Sequence, residues 1–181
     1  MICTGDLAAY CAQPQETVDL IRQNNVATIL GNCEENLAAD ADDCGCGFDD
    51  GTACDLMSQQ WYSFCRRHLK METKRWMGKL PRSLIAVIEN KRLQVIHGGV
   101  DVINQFIFPS ISNDFLNGEL GNIAGDGILA GHSGIPFARI VNGKLWLNSG
   151  AIGIPANDGT NRVWYAIIAP MGDSLKISTH A

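Results

Sequence analysis

The sequence has no apolar run long enough to cross a membrane and no excess of positive charge. Its uninterrupted apolar runs do not exceed eight residues, whereas a membrane-spanning helix needs about 20. No charged-then-apolar leader opens the chain. Acidic residues outnumber basic ones, 19 to 14, for a net charge of −5, so no broad positive field attracts nucleic acid or an anionic membrane. We expect a soluble cytoplasmic protein that binds neither nucleic acid nor membrane.

The sequence also lacks internal repeats and low-complexity tracts. At 181 residues, 46% of them hydrophobic, the chain is long enough to bury one sizeable core. We therefore expect a single domain over residues 1–181. Seven cysteines are an odd number, and in a chain without a secretory leader they favour reduced thiols over a disulfide framework.

The first half of the chain alternates helical and strand patterns around a long polar segment. Hydrophobic spacing predicts a helix over residues 16–24 and a buried strand over residues 26–30. Residues 32–58 are rich in Gly, Asp and Cys with little periodicity, which predicts a loop. Apolar residues then recur every three to four positions over residues 61–80, predicting one amphipathic helix that ends before Pro81.

The second half changes to the periodicity of strands. Residues 84–88 and 93–96 read as strands joined at Asn90-Lys91. Asn142-Gly143, between two apolar runs, carries the strongest short-range hairpin signal in the chain. A second hairpin is predicted around residues 171–173. Together these patterns predict two β-sheets packed together with helices outside.

Four short fragments pair a glycine with a side chain that can bind a metal: Gly5-Asp6, Gly31-Asn32-Cys33-Glu34, His97-Gly98 and Gly131-His132. The last three follow apolar runs that read as strands. Glycine allows the chain to turn sharply at the end of a strand, so that the neighbouring side chain points into a shared site. The fragments therefore predict one metal site built from several strand ends.

In their order, these fragments resemble the motifs of the calcineurin-like metallophosphoesterases. The resemblance runs from residue 2 to about residue 178 and includes the segment 148–155, which is similar to an Asn-Pro-Gly-Ser-Val-Gly segment of the family's small bacterial branch. It implies an α/β fold, an αββα sandwich of two mixed β-sheets flanked by helices. It also implies a phosphoesterase in which a metal-bound hydroxide attacks a phosphate ester of a small molecule or a phosphoprotein.

The resemblance assigns Asp6, Asn32, His97 and His132 as the protein ligands of one metal site, with Asp6 in the position of the bridging ligand and of a catalytic residue. Family members hold two metals about 3.5–4 Å apart. The second site is damaged here, because Gly134 replaces one histidine and the family's first Asp-x-His motif is absent. We expect one divalent metal per chain, and the mixed ligands suit Mn²⁺, Fe²⁺, Ni²⁺ or Zn²⁺. The same comparison predicts a domain that is incomplete at both ends, truncated at the N-terminus.

Cys33 occupies the position of the family's catalytic histidine, which protonates the leaving group. A thiol there can act as a weak proton donor or, beside a cation, as a metal ligand. The sequence leaves open a rival function, a metal-binding regulatory protein of the same fold with weakened or lost catalysis. Arg139 is a speculative phosphate contact, and the simpler interpretation is a hairpin charge that faces solvent.

The polar segment also contains residue patterns similar to those of zinc and calcium sites. The cysteines at positions 33, 44, 46 and 54 include one Cys-x-Cys pair, whereas structural zinc sites prefer Cys-x₂₋₄-Cys pairs. Residues 40–45 resemble the start of an EF-hand, yet Cys44 fills a ligand position and Gly51 replaces the closing glutamate. An acidic solvated loop accounts better for this segment than zinc or calcium.

Overall fold

A computed structural model of the chain describes residues 1–156 and 159–181. These residues form two compact units, Met1–Arg82 and Ser83–Ala181. The single-domain organisation stays a prediction, whereas the predicted α/β class is confirmed by the elements observed.

The helices are α1 Pro14–Gln23, α2 Asn32–Ala39, α3 Ala53–His68, α4 Met71–Met77 and α5 Asn113–Gly121. The strands are β1 Ile2–Cys3, β2 Ala27–Thr28, β3 Leu84–Ile88, β4 Lys91–Val95, β5 Gly127–Ala130, β6 Phe137–Val141, β7 Lys144–Asn148, β8 Tyr165–Met171 and β9 Ser174–His180.

The first unit opens with a small β-α-β arrangement. Strands β1 and β2 pair in parallel, and α1 connects them, as parallel pairing requires a crossover between the strands. Pro14 occupies the first turn of α1, where its missing N–H costs nothing, and Val18 is fully buried. The predicted helix is confirmed, whereas the predicted strand over residues 26–30 is shorter than expected.

The polar segment is not one long loop, which corrects the prediction for residues 32–58. Helix α2 begins directly after Gly31, and α3 begins after Thr52, whose hydroxyl accepts the Asp55 N–H. The signal that was missed is Glu34, which lies three residues after Gly31 and completes a capping interaction at the start of α2. Only residues 40–52 lie outside these helices.

The single helix predicted over residues 61–80 is also wrong, because α3 and α4 are separated at Leu69 and Lys70. Leu69 has an extended conformation and is buried in the core of this unit. The backbone N–H of Lys70 donates to Oε1 of Gln15 at 2.9 Å. The side chain of a neighbouring helix thus replaces a helical hydrogen bond, an interaction that apolar periodicity cannot reveal.

The second unit contains a five-stranded mixed sheet in the order β3-β4-β5-β7-β6. The central strands β4, β5 and β7 are parallel, and the edge strands β3 and β6 pair in antiparallel fashion. Helix α5 connects β4 to β5 and packs on β6 and β7. Trp146 and Ile128 are fully buried beside Leu116 of this helix. Parallel pairing brings the carboxyl ends of β4 and β5 to one edge, directly before His97 and His132.

The hairpins of the second unit follow the sequence signals closely. Asn142 and Gly143 both have positive φ, 48° and 78°, as a type I′ turn requires, and they join β6 to β7. Strands β8 and β9 form the second predicted hairpin. The turn between β3 and β4 lies at Glu89 and Asn90, one residue earlier than predicted.

The state of the cysteines departs from expectation at one pair. Cys44 and Cys46 are joined by a disulfide, whereas the other five cysteines are free thiols, as predicted for the chain. Throughout the described ranges, every helix is too short or too polar to cross a membrane.

Candidate metal centre

The Gly5-Asp6 turn in the first unit is held by one buried carboxylate. Glu34 has no exposed surface, and its two oxygens accept the backbone N–H groups of Asp6 at 2.7 Å, Leu7 at 2.8 Å and Gly31 at 2.9 Å. Hydrogen bonds to a charged acceptor are stronger than those between neutral groups. Glu34 thus fixes Asp6, whose φ of 56° is left-handed, against the start of α2.

Gly31 allows the Gly5-Asp6 turn to lie directly against the start of α2. A Cβ atom at position 31 would lie 2.4 Å from Oδ1 of Asp6 and 2.7 Å from the Asp6 nitrogen, so no other residue fits without displacing the candidate ligand. The Cys33 N–H donates to Oδ1 of Asp6 at 3.2 Å. The structure therefore brings Asp6 together with the Asn32-Cys33 segment.

The side chain of Asn32 is oriented by the Cys44–Cys46 segment. Asn32 is buried, and its amide nitrogen donates to the Cys44 carbonyl oxygen at 2.9 Å. The same nitrogen lies 3.6 Å from the Sγ atoms of both Cys33 and Cys46. Because the amide nitrogen already donates to the Cys44 carbonyl, the carboxamide oxygen is the atom that can bind a metal ion. The disulfide thus has a positioning role that cysteine spacing alone did not indicate.

Cys33 is buried in the apolar core of the first unit, together with Leu37 and Cys65. Burial, and then the nearby carboxylates of Asp6 and Glu34, raise the pKa of the Cys33 thiol well above its ordinary value. Both effects disfavour the thiolate. The environment therefore favours a protonated thiol at neutral pH.

The two histidines lie together in the second unit. Hydrogen bonds continue the parallel pairing of β4 and β5 beyond their ends, with the Gly131 N–H donating to the His97 carbonyl at 2.7 Å. The ring centres of His97 and His132 are 5.1 Å apart. Two imidazoles that share one ion, with metal–nitrogen bonds of about 2.0–2.1 Å, have ring centres roughly 5–6 Å apart. The pair is therefore suitably spaced to bind a single transition metal.

Asn148, at the end of β7, supports the His132 loop. Its buried amide donates to the Gly131 carbonyl at 2.5 Å and to the Ser133 hydroxyl at 2.9 Å, and its oxygen accepts the Gly150 N–H at 2.9 Å. The sequence indicated the 148–155 segment without giving Asn148 a role. Three hydrogen bonds around one buried amide identify it as a positioning residue for His132.

The sequence resemblance predicts that Gly134 replaces a metal-binding histidine. Its φ is +68°, and a Cβ there would meet only ordinary contact with Ala151 at 3.9 Å. There is thus room for a side chain at this position, but its left-handed backbone conformation is unfavourable for residues other than glycine. The backbone conformation therefore favours glycine at this position, and the damaged second site stays a prediction.

Arg139 is half-buried, which corrects the expectation of a hairpin charge that faces solvent, whereas the phosphate contact stays a prediction. Its guanidinium donates to the Ile111 carbonyl at 2.6 Å, to the Pro109 carbonyl and to Oδ1 of Asn113 at 3.2 Å. These bonds tether the loop before α5 to the sheet. Arg139 has a structural role.

The residues fit a divalent transition metal in their chemistry. In the first unit Asp6 offers a carboxylate oxygen, and in the second unit His97 and His132 offer imidazole nitrogens. Asn32 adds a carboxamide oxygen in the first unit. Mixed oxygen and nitrogen ligands are typical of Mn²⁺, Fe²⁺, Ni²⁺ and Zn²⁺ sites.

The fold is similar to that of a metallophosphoesterase of known structure. A hypothetical protein from Pyrococcus horikoshii superposes with a TM-score of 0.75 at 16% identity, over 97% of this chain and 71% of that one. A metallophosphoesterase from Sphaerobacter thermophilus gives a TM-score of 0.65 at 19% identity, over 90% of this chain and 69% of that one. At 16% and 19% sequence identity, these similarities show a shared fold.

In sequence, the chain is 27% identical to an uncharacterized protein from Methanocaldococcus jannaschii, over 92% of this chain and 70% of that protein. No protein-family profile matches the chain. The resemblance drawn from the four motifs is thus supported by the three-dimensional fold.

Proposed function

We propose that the protein is a metal-dependent phosphoesterase whose single metal is held by Asp6, Asn32, His97 and His132. The observation that carries the proposal is the support given to three of these four ligands, each within its own unit. Glu34 fixes the Asp6 turn, the Cys44 carbonyl orients Asn32, and Asn148 holds the His132 loop. Such supporting hydrogen bonds are typical of metal ligands.

A bound divalent cation would supply Lewis-acid activation of a phosphate ester and of a water molecule. Mn²⁺, Fe²⁺, Ni²⁺ and Zn²⁺ all suit these ligands, and we propose about one equivalent per chain, because the second ligand set lacks the histidine that Gly134 replaces.

Within this proposal, Cys33 is the proton donor to the leaving group. Its raised pKa makes it a weak acid, so turnover should be slow for esters with poor leaving groups, which depend most on protonation. Cys33→Ala should reduce the hydrolysis of an alkyl phosphate more than that of p-nitrophenyl phosphate. Equal losses on both substrates, with unchanged metal content, would remove the proton-donor role.

The rival proposal is a metal-binding regulatory protein with little catalysis, and the glycine at position 134 favours it. Hydrolysis assays with p-nitrophenyl phosphate and bis-p-nitrophenyl phosphate, each with Mn²⁺, Fe²⁺, Ni²⁺ or Zn²⁺ added, separate the two functions. Metal-dependent turnover that His97→Ala abolishes supports the enzyme. Tight metal binding without turnover on either ester supports the regulatory protein.

A further inference from the structure

A row of three aromatic rings extends from His132 within the second unit. The Phe106 ring centre lies 4.3 Å from that of His132, and the planes are inclined by 31°. The Phe108 ring centre lies 5.6 Å from that of Phe106, with planes only 7° apart. We call Phe106 and Phe108 the aromatic pair. In this pair Phe106 contacts the proposed metal ligand His132, and Phe108 stacks on Phe106.

The aromatic pair lies on the side of its segment that does not face the core. Ile107, between the two phenylalanines, is 2% exposed and belongs to the core of the second unit. Phe108, in contrast, is 39% exposed. Burial of Ile107 thus anchors the segment while a large apolar ring remains accessible to a ligand.

The segment that carries the pair is tied down on both sides. Before it, the Val100 N–H donates to Oε2 of Glu119 in α5 at 2.7 Å. After it, Arg139 donates to the carbonyls of Pro109 and Ile111. Because these bonds hold the segment in place before any ligand arrives, little conformational entropy would be lost when a ring binds to Phe108.

We propose that the aromatic pair is a specificity subsite that selects phosphate esters bearing a planar aromatic group, either an aryl ring or a nucleobase. The inference rests on the proposed function, since the metal would hold the phosphate while the ring stacks on Phe108. Aromatic rings favour offset-stacked neighbours, and stacking on a protein side chain accepts every nucleobase because each has a π-face. An ester with a flexible aliphatic group gains none of this interaction.

The test compares the binding of phenylphosphonate with that of cyclohexylphosphonate by calorimetry, using the Mn²⁺-loaded protein. The two ligands share the phosphonate and differ in the aromaticity of the ring. We expect phenylphosphonate to bind about 10-fold more tightly. Phe108→Leu keeps an apolar side chain but removes the ring, and it should abolish the preference while leaving cyclohexylphosphonate binding unchanged. Phe64→Leu is the control, because Phe64 stacks on His68 in the first unit.

Equal affinity for the two phosphonates in the wild type, absence of binding by either, or a preference that survives Phe108→Leu would overturn the subsite. Hydrolysis of esters without any aromatic preference would overturn the subsite alone. A preference that depends on Phe108 without hydrolysis of any ester would support the subsite and overturn the proposed enzyme. The same comparison between adenosine monophosphate and ribose 5-phosphate separates a nucleobase from an aryl ring as the preferred group.

Discussion

At the scale of single residues, the proposed metal centre depends most on side chains that hold the candidate ligands in position. Glu34 is the clearest case, because one fully buried carboxylate satisfies backbone N–H groups from two separate turns. Its place three residues after a glycine at a helix start is a signal in the sequence. Its partners at Asp6 and Leu7, 28 and 27 residues away, are not, since a capping pattern identifies only local contacts.

We expect Glu34→Gln to lower the free energy of unfolding by about 1.5–3 kcal/mol, because the amide nitrogen must face a backbone N–H that has lost its charged acceptor. Chemical denaturation measures the change. The control is Glu35→Gln, which breaks an ion pair with Arg82 whose side chains are 39% and 58% exposed and should cost less than about 1 kcal/mol. A similar decrease in the free energy of unfolding in both variants would contradict the proposed role of Glu34 in holding the Asp6 turn.

At the scale of elements, the hairpins were predictable and the helix boundaries were not. Asn142-Gly143 encodes its turn locally, through residues that tolerate positive φ. The break between α3 and α4 depends on Gln15, which lies 55 residues from Lys70. Periodicity describes one face of a helix, so it cannot show where a distant side chain takes over a backbone N–H.

Two glycine substitutions should therefore have opposite effects. Gly143→Ala places a side chain at a φ of 78° and should destabilise the protein by about 1–2 kcal/mol. Gly118→Ala lies inside α5, with nothing within 4 Å of its new methyl group, and should stabilise by about 0.5–1 kcal/mol. Thermal unfolding of both variants measures the difference, and a shift of the same sign in both would contradict the assigned backbone conformations.

The junction of β4 and β5 should respond to acid. The Arg92 N–H donates to Asp126 at 2.8 Å, and this bond, followed by the charge of Lys91, lowers the pKa of Asp126. Because the folded pKa lies below the unfolded value of about 3.9, the stability from Asp126 is present above that pH and is lost as the pH falls through the folded pKa.

Asp126→Asn should accordingly be less stable than the wild type at pH 7, and the difference should shrink below about pH 4. Melting temperatures measured from pH 7 down to pH 2.5 test this, with Asp173→Asn in the exposed turn after β8 as the control for loss of one negative charge. A difference that stays constant across the range would show that Asp126 acts without its charge.

At the scale of the whole molecule, the order of the four motifs predicted the fold correctly because each motif marks a strand end or a turn beside one. The supporting groups were harder to foresee. Glu34 and Asn148 bind backbone atoms, and the Cys44 carbonyl accepts from the Asn32 amide. Such contacts depend on where the chain folds back rather than on residue type. The ligands stay a prediction from the sequence, whereas the groups that support them could not be foreseen from it.

The proposed metal centre is tested most directly by the transition-metal content of the purified protein after dialysis, compared with that of His132→Gly. Glycine accepts the φ of 60° at position 132, so this variant removes the imidazole without straining the turn, and His68→Ala on the exposed end of α3 is the control. We predict about one equivalent in the wild type and in the control, and almost none in His132→Gly. A wild type without metal, or a His132→Gly variant that retains its full equivalent, would contradict the proposed metal centre.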